Sequence, residues 1–446
     1  MRKIPTMSRQ GHLLYPDLLQ QLDPAHPLLK LAARIPWVEF EREFASLYST
    51  TGRPAKPVRL MVGLLILKQV ENLSDERIIG VWVQNPYYQA FCGMQLFQWK
   101  MPCDPSDLVH FRKRIGEKGF ELIFKTSVGL HGQKALEKEV VIDTTVQEKN
   151  IAYPTDVRLQ TKIILRCRKI AVQEGVQLRR SYTRELPKLL RRHYHGKTAK
   201  NRKAAKGVKR RIKGISGRLL RELCRKLPVA AQVKHQNFLF LAERVLSQKR
   251  EDKNKIYSLH EPSVSCIAKG KQHKKYEFGA KASVAKTKTT GIIVGVQSFQ
   301  GNLYDGDTLV ETLRKIEETR GIPASVAICD QGYRGREKIG KTEIVTPNHK
   351  KTEQNAYEKR QRKQRLRRRS AIEPVIGHLK ADHRMARNYL KDEFGDSINL
   401  LMAAAAFNFK KWLNALADLL FFALSWLIAR CGLRQDHGTL RTNTSY

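Results

Sequence analysis

The chain has 446 residues, with 83 Lys and Arg against 42 Asp and Glu, a formal net charge of +41. That length is enough for two or three domains with buried cores, and a hydrophobic content of 41% excludes a chain disordered throughout. A cationic excess this large goes beyond solubility and implies a polyanionic partner, nucleic acid or an anionic membrane surface, bound with salt-sensitive affinity.

The seven cysteines are scattered and form no CxxC pair, which points to a reducing compartment and away from a zinc module. The opening "MRKIPTMSRQGHLLYPDLL" lacks the continuous apolar core of a signal peptide. Residues 1–135 read as helical. "RLMVGLLILKQVENLSDERIIGVWVQ" has apolar residues at helical spacing, with Ser74 as N-cap of a second helix. "NPYYQAFCG" interrupts the pattern and "PSDLVHFRKRIGEKGFELIF" resumes it, with Ser106 as its cap. Basic faces on these helices suit either DNA contact or simple solvation.

"EVVIDTTVQ" is a β-branched run and reads as a buried strand, with Asp143 in its middle. A lone charge there is costly unless it is paired or bound to metal. Residues 157–255 then show helical patterning and no strand signal. Lys197 to Lys226 contains thirteen Lys or Arg and one acid, Glu222. Such density favours phosphate contact over a solvated arm, and Lys209, Arg210 and Arg211 are its central candidates.

Strands return in "KYEFGAKASVAKTKTTGIIVGVQSF", a predicted hairpin with Gly291 near the end of its turn. "GDTLVETLRKIEETRG" follows as an amphipathic helix with Leu309, Leu313 and Ile316 on one face and Gly321 as its stop. Asp305 and Asp307 read as helix-capping acids. "ASVAICDQGYRG" is another strand, ending in Asp330 and a glycine turn, and "EIVTPN" is a short one. "RRRSAIEPVIGHLKADHRM" is a helix with Ile372, Ile376 and Leu379 as its apolar stripe, and Pro374 suits its first turn. His378 and His383 read as surface groups of that helix near DNA, and His260 and Glu261 in "SLHEP" carry no assignable role. The run "ALADLLFFALSWLIA" contains Asp418 and is shorter than the ~20 residues that span a bilayer, so it reads as a buried or subunit-contacting helix, with a membrane anchor as the alternative.

The order of elements predicts an α/β fold, a mixed sheet with helices packed on it. Asp143 and Asp330 sit on strands that can be neighbours, and Glu373 on a helix that can cross above them. Three carboxylates suit hard divalent cations, and two Mg²⁺ ions ~4 Å apart serve phosphodiester chemistry. Glu373 closes the most basic run of the chain: Lys351 to Ser370 holds nine Lys or Arg and two Glu. A salt-bridge role is the competing reading for Glu373, buried pairing for Asp143 and turn formation for Asp330.

The blocks "VVIDTTVQEKNIAYPTD", "KIYSLHEPSVSCIAKGKQHKKYEFGAK", "GNLYDGDTL", "CDQGYRG" and "RRRSAIEPVIGHLKADHRM" resemble DDE transposases of the bacterial IS5 insertion-sequence family. The resemblance spans most of the chain, from "PVRLMVGLLILK" to "HRMARNYL". It implies an RNase H-like catalytic core, Mg²⁺ or Mn²⁺ as cofactor, and Asp143, Asp330 and Glu373 as the catalytic, metal-holding triad. The family signature around the glutamate is Tyr, two residues, Arg, three residues, Glu, six residues, Lys. Arg369, Glu373 and Lys380 match it, and Leu366 stands in place of the tyrosine.

The implied reaction frees a 3′-hydroxyl at a terminal inverted repeat and joins it to target DNA. Exchanging one phosphodiester for another requires no ATP. Lys380, two helical turns beyond Glu373, and Arg369 are candidate phosphate contacts, with Arg367 and Arg368 beside them. The implied partners are double-stranded DNA, as terminal repeats and target, and a second copy of the chain, in a cytoplasmic, nucleoid-associated setting without membrane. The expected organisation is a helical DNA-binding or assembly domain at 1–135, a catalytic domain from 136–156 and 256–412, a basic helical insertion at 157–255, and an apolar helix and tail at 413–446. A nuclease of the same fold that cuts without joining, and a non-catalytic repeat-binding protein, are the alternatives left open.

Overall fold

The computed structural model describes residues 17–49, 51, 54–195, 202–249, 251–268, 275–347 and 355–430, without the side chains of 195, 202, 358 and 417–430. Its N-terminal part is helical: α1 (Pro27–Arg34), α2 (Trp37–Ala45), α3 (Val58–Val70), α4 (Asp75–Gln84), α5 (Pro86–Phe91) and α6 (Pro105–Gly129). Ser74 caps α4, its side chain accepting from the Arg77 amide. The cap of α6 is Asp104 and not Ser106, because Pro105 occupies the first helical position and leaves the acceptor role to the residue before it. Asp107 reciprocates by accepting from the Asp104 amide. Helix α3 is apolar all round, and Val62, Leu64 and Ile66 are buried on different sides of it, as expected of a helix in the middle of a core.

The mixed sheet is built around β1 (Glu139–Glu148). The other strands are β2 (Ser265–Ala268), β3 (Tyr276–Thr287), β4 (Ile293–Phe299), β5 (Val326–Ile328), β6 (Lys338–Ile339) and β7 (Thr342–Val345). The order is β2-β3-β1-β5-β7-β6, with β4 also on β3. β1 pairs antiparallel with β3, Asp143 opposite Val284, and parallel with β5, Val141 opposite Ile328. β5 pairs parallel with β7. The hairpin β3–β4 turns at Gly291, whose φ of 67° is in the left-handed region that favours glycine.

Between β1 and β2 the chain leaves the sheet for four helices, α7 (Asp156–Gln173), α8 (Glu185–His195), α9 (Arg202–Lys226) and α10 (Val229–Ser247). They enclose a core of their own, in which Ile163, Cys167, Ile212, Leu219, Leu223 and Val245 are buried together. Helix α11 (Leu309–Arg320) has Leu309, Leu313 and Ile316 buried and ends at Gly321, φ 76°. The chain closes with α12 (Ala356–Arg367), α13 (Ile372–Ala381) and α14 (Asp392–Arg430). Helix α14 runs without a break through 412, and the backbone of the apolar run 415–429 is its last part.

Alternation along the strands divides the sheet's two faces. Val140, Ile142, Ala327 and Cys329 belong to the large core shared with the N-terminal helices and α14. Val141, Val326, Ile328 and Val345 form a smaller cluster on the other face with Ile372 of α13. This second face carries the acids of interest.

Candidate active site

Asp143 lies two residues after Val141, and Asp330 two residues after Ile328, so period-two alternation places both on the face of the smaller cluster. Continuing the β1–β5 register from Val141 and Ile328 brings Asp143 level with Asp330 on strands about 4.8 Å apart. The Asp330 backbone is still extended there, φ −81° and ψ −175°, and the Cys329 amide still bonds the Val345 carbonyl at 3.0 Å.

Each carboxylate is held by a nearby amide. Asp143 Oδ1 accepts from the Thr144 amide at 2.7 Å, and Asp330 Oδ1 from the Gly332 amide at 2.8 Å. The acids impose a negative field on their neighbours. Burial first, then Asp330 and Asp143, pushes the Cys329 thiol well above its usual range. The Tyr333 hydroxyl is likewise pushed well up by burial, with Cys329, Asp143 and Asp305 adding to it.

Glu373 is in the first turn of α13 and is exposed. Ile372, one residue before it, is fully buried against Val141 and Ile328. Earlier in the same crossing, Arg365 Nε donates to Glu139 Oε1 at 2.8 Å, at the start of β1. The basic helix thus lies along the face that bears Asp143 and Asp330. Leu366, in the signature's tyrosine position, packs against the smaller cluster as an apolar filler. Among the described residues no three His, Cys, Asp or Glu side chains gather closely enough to hold a metal ion. The expected convergence of three carboxylates is therefore not seen: two are level on neighbouring strands and the third stands on the exposed first turn of a helix. Mutual repulsion of ionised carboxylates opposes their convergence. The donor set, all carboxylate oxygen, is the kind that hard divalent cations prefer.

The cations are distributed unequally. Lys209, Arg210, Arg367 and Arg368 are exposed, and Arg369 and Lys380 half-buried. Arg211 is committed to Glu185, Nε to Oε1 at 2.7 Å. Asp305 and Asp307 do not cap helices. Asp305 accepts from Thr144 Oγ1 at 2.7 Å and Lys281 Nζ at 2.8 Å, and Asp307 pairs with Arg336 at 2.8 Å. His378 is exposed and bonded to Asp382, but His383 is buried with Nδ1 on the Gln69 carbonyl, because the segment after α13 packs against α3.

Glu261, which the sequence left without a role, is buried. It lies 3.4 Å from Lys149 Nζ and accepts from the Asp392 amide at 3.0 Å. Lys149 also reaches Asp396 at 3.0 Å. The only sequence signal for this lock was a lysine directly after a buried strand.

A mixed sheet whose parallel strands present acids beneath a basic helix defines an RNase H-like nucleic-acid enzyme. Residues 248–409 match the model of the transposase DDE domain family, and residues 16–114 that of a transposase domain, DUF772. An uncharacterized protein from Rhizobium meliloti, ORF8 in the nfe locus, is 43% identical over 190 residues, 41% of this chain and 91% of that protein. No solved structure matches. The chain belongs to the DDE transposases, enzymes that cleave DNA and transfer strands, generally with divalent metal ions. The DDE match begins at 248, so Asp143 is outside it and Asp330 and Glu373 are inside. Among the described residues no helix is long and apolar enough to cross a membrane.

Proposed function

We propose that the chain is a transposase of the IS5 insertion-sequence type, acting with Mg²⁺ or Mn²⁺ on the terminal inverted repeats of its own element, with Asp143, Asp330 and Glu373 as its catalytic carboxylates. The observation that carries the reading is the shared face: Val141 and Ile328 pair on adjacent parallel strands two residues before Asp143 and Asp330, and the residue before Glu373 packs on the same face. Asp143 and Asp330 would hold the cation from the sheet and Glu373 from the helix. A bound divalent ion supplies Lewis-acid stabilisation of charge at the phosphate being exchanged. Arg369 and Lys380 orient the strand near the cut, and Arg367 and Arg368 hold its flanking phosphates. Lys209 and Arg210 on α9 grip duplex farther away, with Arg211 serving chiefly α8. Two copies acting on two ends, in the cytoplasm and at the nucleoid, complete the proposal.

The helical core of α7–α10 supports treating 157–255 as an inserted unit within a catalytic domain of 136–156 and 256–412. Residues 1–135 form the assembly or DNA-binding domain in this scheme, and 413–446 the C-terminal helix and tail.

The test is strand transfer on duplexes carrying the DNA that flanks the gene. Glu373→Gln keeps size but loses a charge, so cleavage falls by orders of magnitude while binding without divalent ions holds or improves. Near-wild-type cutting by folded Glu373→Gln refutes the triad. Cut but unjoined products would favour a nuclease, and bound but uncut DNA a repeat-binding protein.

A further inference from the structure

We propose that Asp305 is a positioning residue for the catalytic carboxylates: it fixes the segments that carry Asp143 and Asp330 relative to each other, with Lys281 as its counter-ion. The proposal rests on the reading of Asp143 and Asp330 as the pair that holds the metal.

Asp305 is in the short helical turn Asp305–Thr308 that leads into α11. The caps of that turn and of α11, Tyr304 and Thr308, make no side-chain cap bond, so the Asp305 carboxylate is not needed for helix ends. It reaches instead in two directions.

Oδ1 accepts from Thr144 Oγ1 at 2.7 Å. The Thr144 amide in turn bonds Asp143 Oδ1 at 2.7 Å. Asp305 is thus one residue removed from Asp143 and grips the backbone unit that orients it. Thr144 points to the opposite sheet face from Asp143, so Asp305 reaches β1 from behind the strand.

Oδ2 points at Gly332. A Cβ there would lie 3.0 Å from Asp305 Oδ2 and 3.0 Å from Asp330 Oδ1. The two carboxylates crowd one glycine, and the Gly332 amide is the donor that holds Asp330. A side chain at 332 would push one or both acids aside.

Bringing a third acid this near to two others is unfavourable unless a cation offsets it. Lys281 does so. It is only 5% exposed, with Nζ 2.8 Å from Asp305 Oδ1 and bonded to the Leu303 carbonyl. Lys281 is on β3 and Thr144 on β1, so Asp305 ties two strands together and sits against the Asp330 turn at Gly332. Thr308 Oγ1, bonded to the Asp305 carbonyl at 2.7 Å, fixes the turn itself. Such support behind a site is what holds reacting groups to sub-ångström tolerance.

The experiment separates positioning from charge balance. Asp305→Asn alone strands Lys281, so it is paired with Lys281→Met, which removes both charges at once. Thr144→Val keeps the shape and removes the hydroxyl, with its bond to Asp305 and its contact with the Tyr333 side chain. Three readouts are compared with the wild type: melting temperature without metal, Mn²⁺ affinity by calorimetry without DNA, and cleavage of the flanking-DNA duplex. The expected result for the double variant is a melting temperature near wild type, Mn²⁺ affinity and kcat each down at least tenfold, and KM for DNA little changed. Thr144→Val should lower Mn²⁺ affinity and kcat in the same sense, by a smaller factor.

Wild-type Mn²⁺ affinity and kcat in the folded double variant would show that Asp305 is only the partner of Lys281, and would overturn the proposal. If the double variant does not fold, Thr144→Val decides: unchanged Mn²⁺ affinity overturns positioning and a loss sustains it. Asp143→Asn and Asp330→Asn are the controls on the underlying reading. Mn²⁺ affinity that survives both of them refutes the metal-holding pair itself, a result distinct from failure of Asp305 alone.

Discussion

Replacing Lys149 by Met tests whether the lock behind β1 is a main support of the catalytic domain. The Lys149 ammonium donates to the Leu390 and Asp392 carbonyls, both at 2.9 Å, and lies 3.0 Å from Asp396 and 3.4 Å from Glu261. All three charged side chains are 5% exposed or less. Met fills similar space without charge, so two buried carboxylates lose their cation and two carbonyls lose a donor. Breaking a buried pair by removing one partner costs roughly 3–5 kcal/mol, and each orphaned carbonyl about 1 kcal/mol more. Protonation of a carboxylate recovers part of this, and a net loss of about 4 kcal/mol at pH 7 is expected.

The pH dependence has a definite sign. Burial raises the Asp396 carboxyl above its ordinary range, against the pull of Lys149. Without Lys149 it rises further. An acid whose folded pKa is raised costs stability as it ionises, so the deficit grows as pH rises through that value and shrinks below it. Urea unfolding of metal-free protein at pH 7 and pH 4.5 is the assay. A deficit under about 1 kcal/mol, or one that grows on acidification, would refute the reasoning.

Acid should also weaken the N-terminal helices through Asp75. Burial alone would raise its carboxyl, but Arg112 and Lys68 outweigh burial and hold it at about 2, against an ordinary 3.8. That difference stabilises the fold by about 2 kcal/mol above pH 4 and is lost as pH falls from 4 to 2, so Asp75→Asn should flatten this limb of the stability curve. Gly279→Ala should cost more than about 3 kcal/mol, read as loss of soluble, cooperatively unfolding protein, because its Cβ would fall on the Gln147 backbone carbonyl. Neutralising Lys209 and Arg210 together should lower the log–log salt slope of DNA binding by about two units with no change in melting temperature. Arg211→Ala should instead cost up to about 1 kcal/mol of stability by ending the Glu185 pair, with a smaller change in slope.

Much of the sheet was legible because its signals are local. β-branched runs marked β1 and the β3–β4 hairpin, a glycine turn marked the end of β5, and Gly321 marked the end of α11. Asp143 and Asp330 stood out as charges at apolar strands. The less legible features depend on contacts distant in sequence. Strands β2 and β6 are four and two residues long, too short to show a period, and are defined by their partners. Asp305 looked like a capping acid because helix caps and cross-strand acceptors have the same composition. Only the fold brings Thr144 to it, 161 residues away. His383 read as a surface group near DNA, yet the chain turns after α13 and buries it against α3. At α6 the rule for caps was right and the residue wrong, since Pro105 shifts the cap to Asp104.

The position of α7–α10 between β1 and the rest of the sheet has a consequence for synthesis. β1 is made first, but its partners β3 and β5 begin only at Tyr276 and Val326. At roughly 5–20 residues per second, the central strand waits on the order of 10 s outside the ribosome with both edges unpaired. During that time the four helices can close their own core. They keep the interval from being an unstructured tether and shorten the distance across which β3 must find β1. An exposed apolar strand is an aggregation hazard for as long as it waits. The insertion therefore bears on the yield of folded enzyme, and variants that unfold it should raise the aggregated fraction of newly made chains even where the finished sheet is intact.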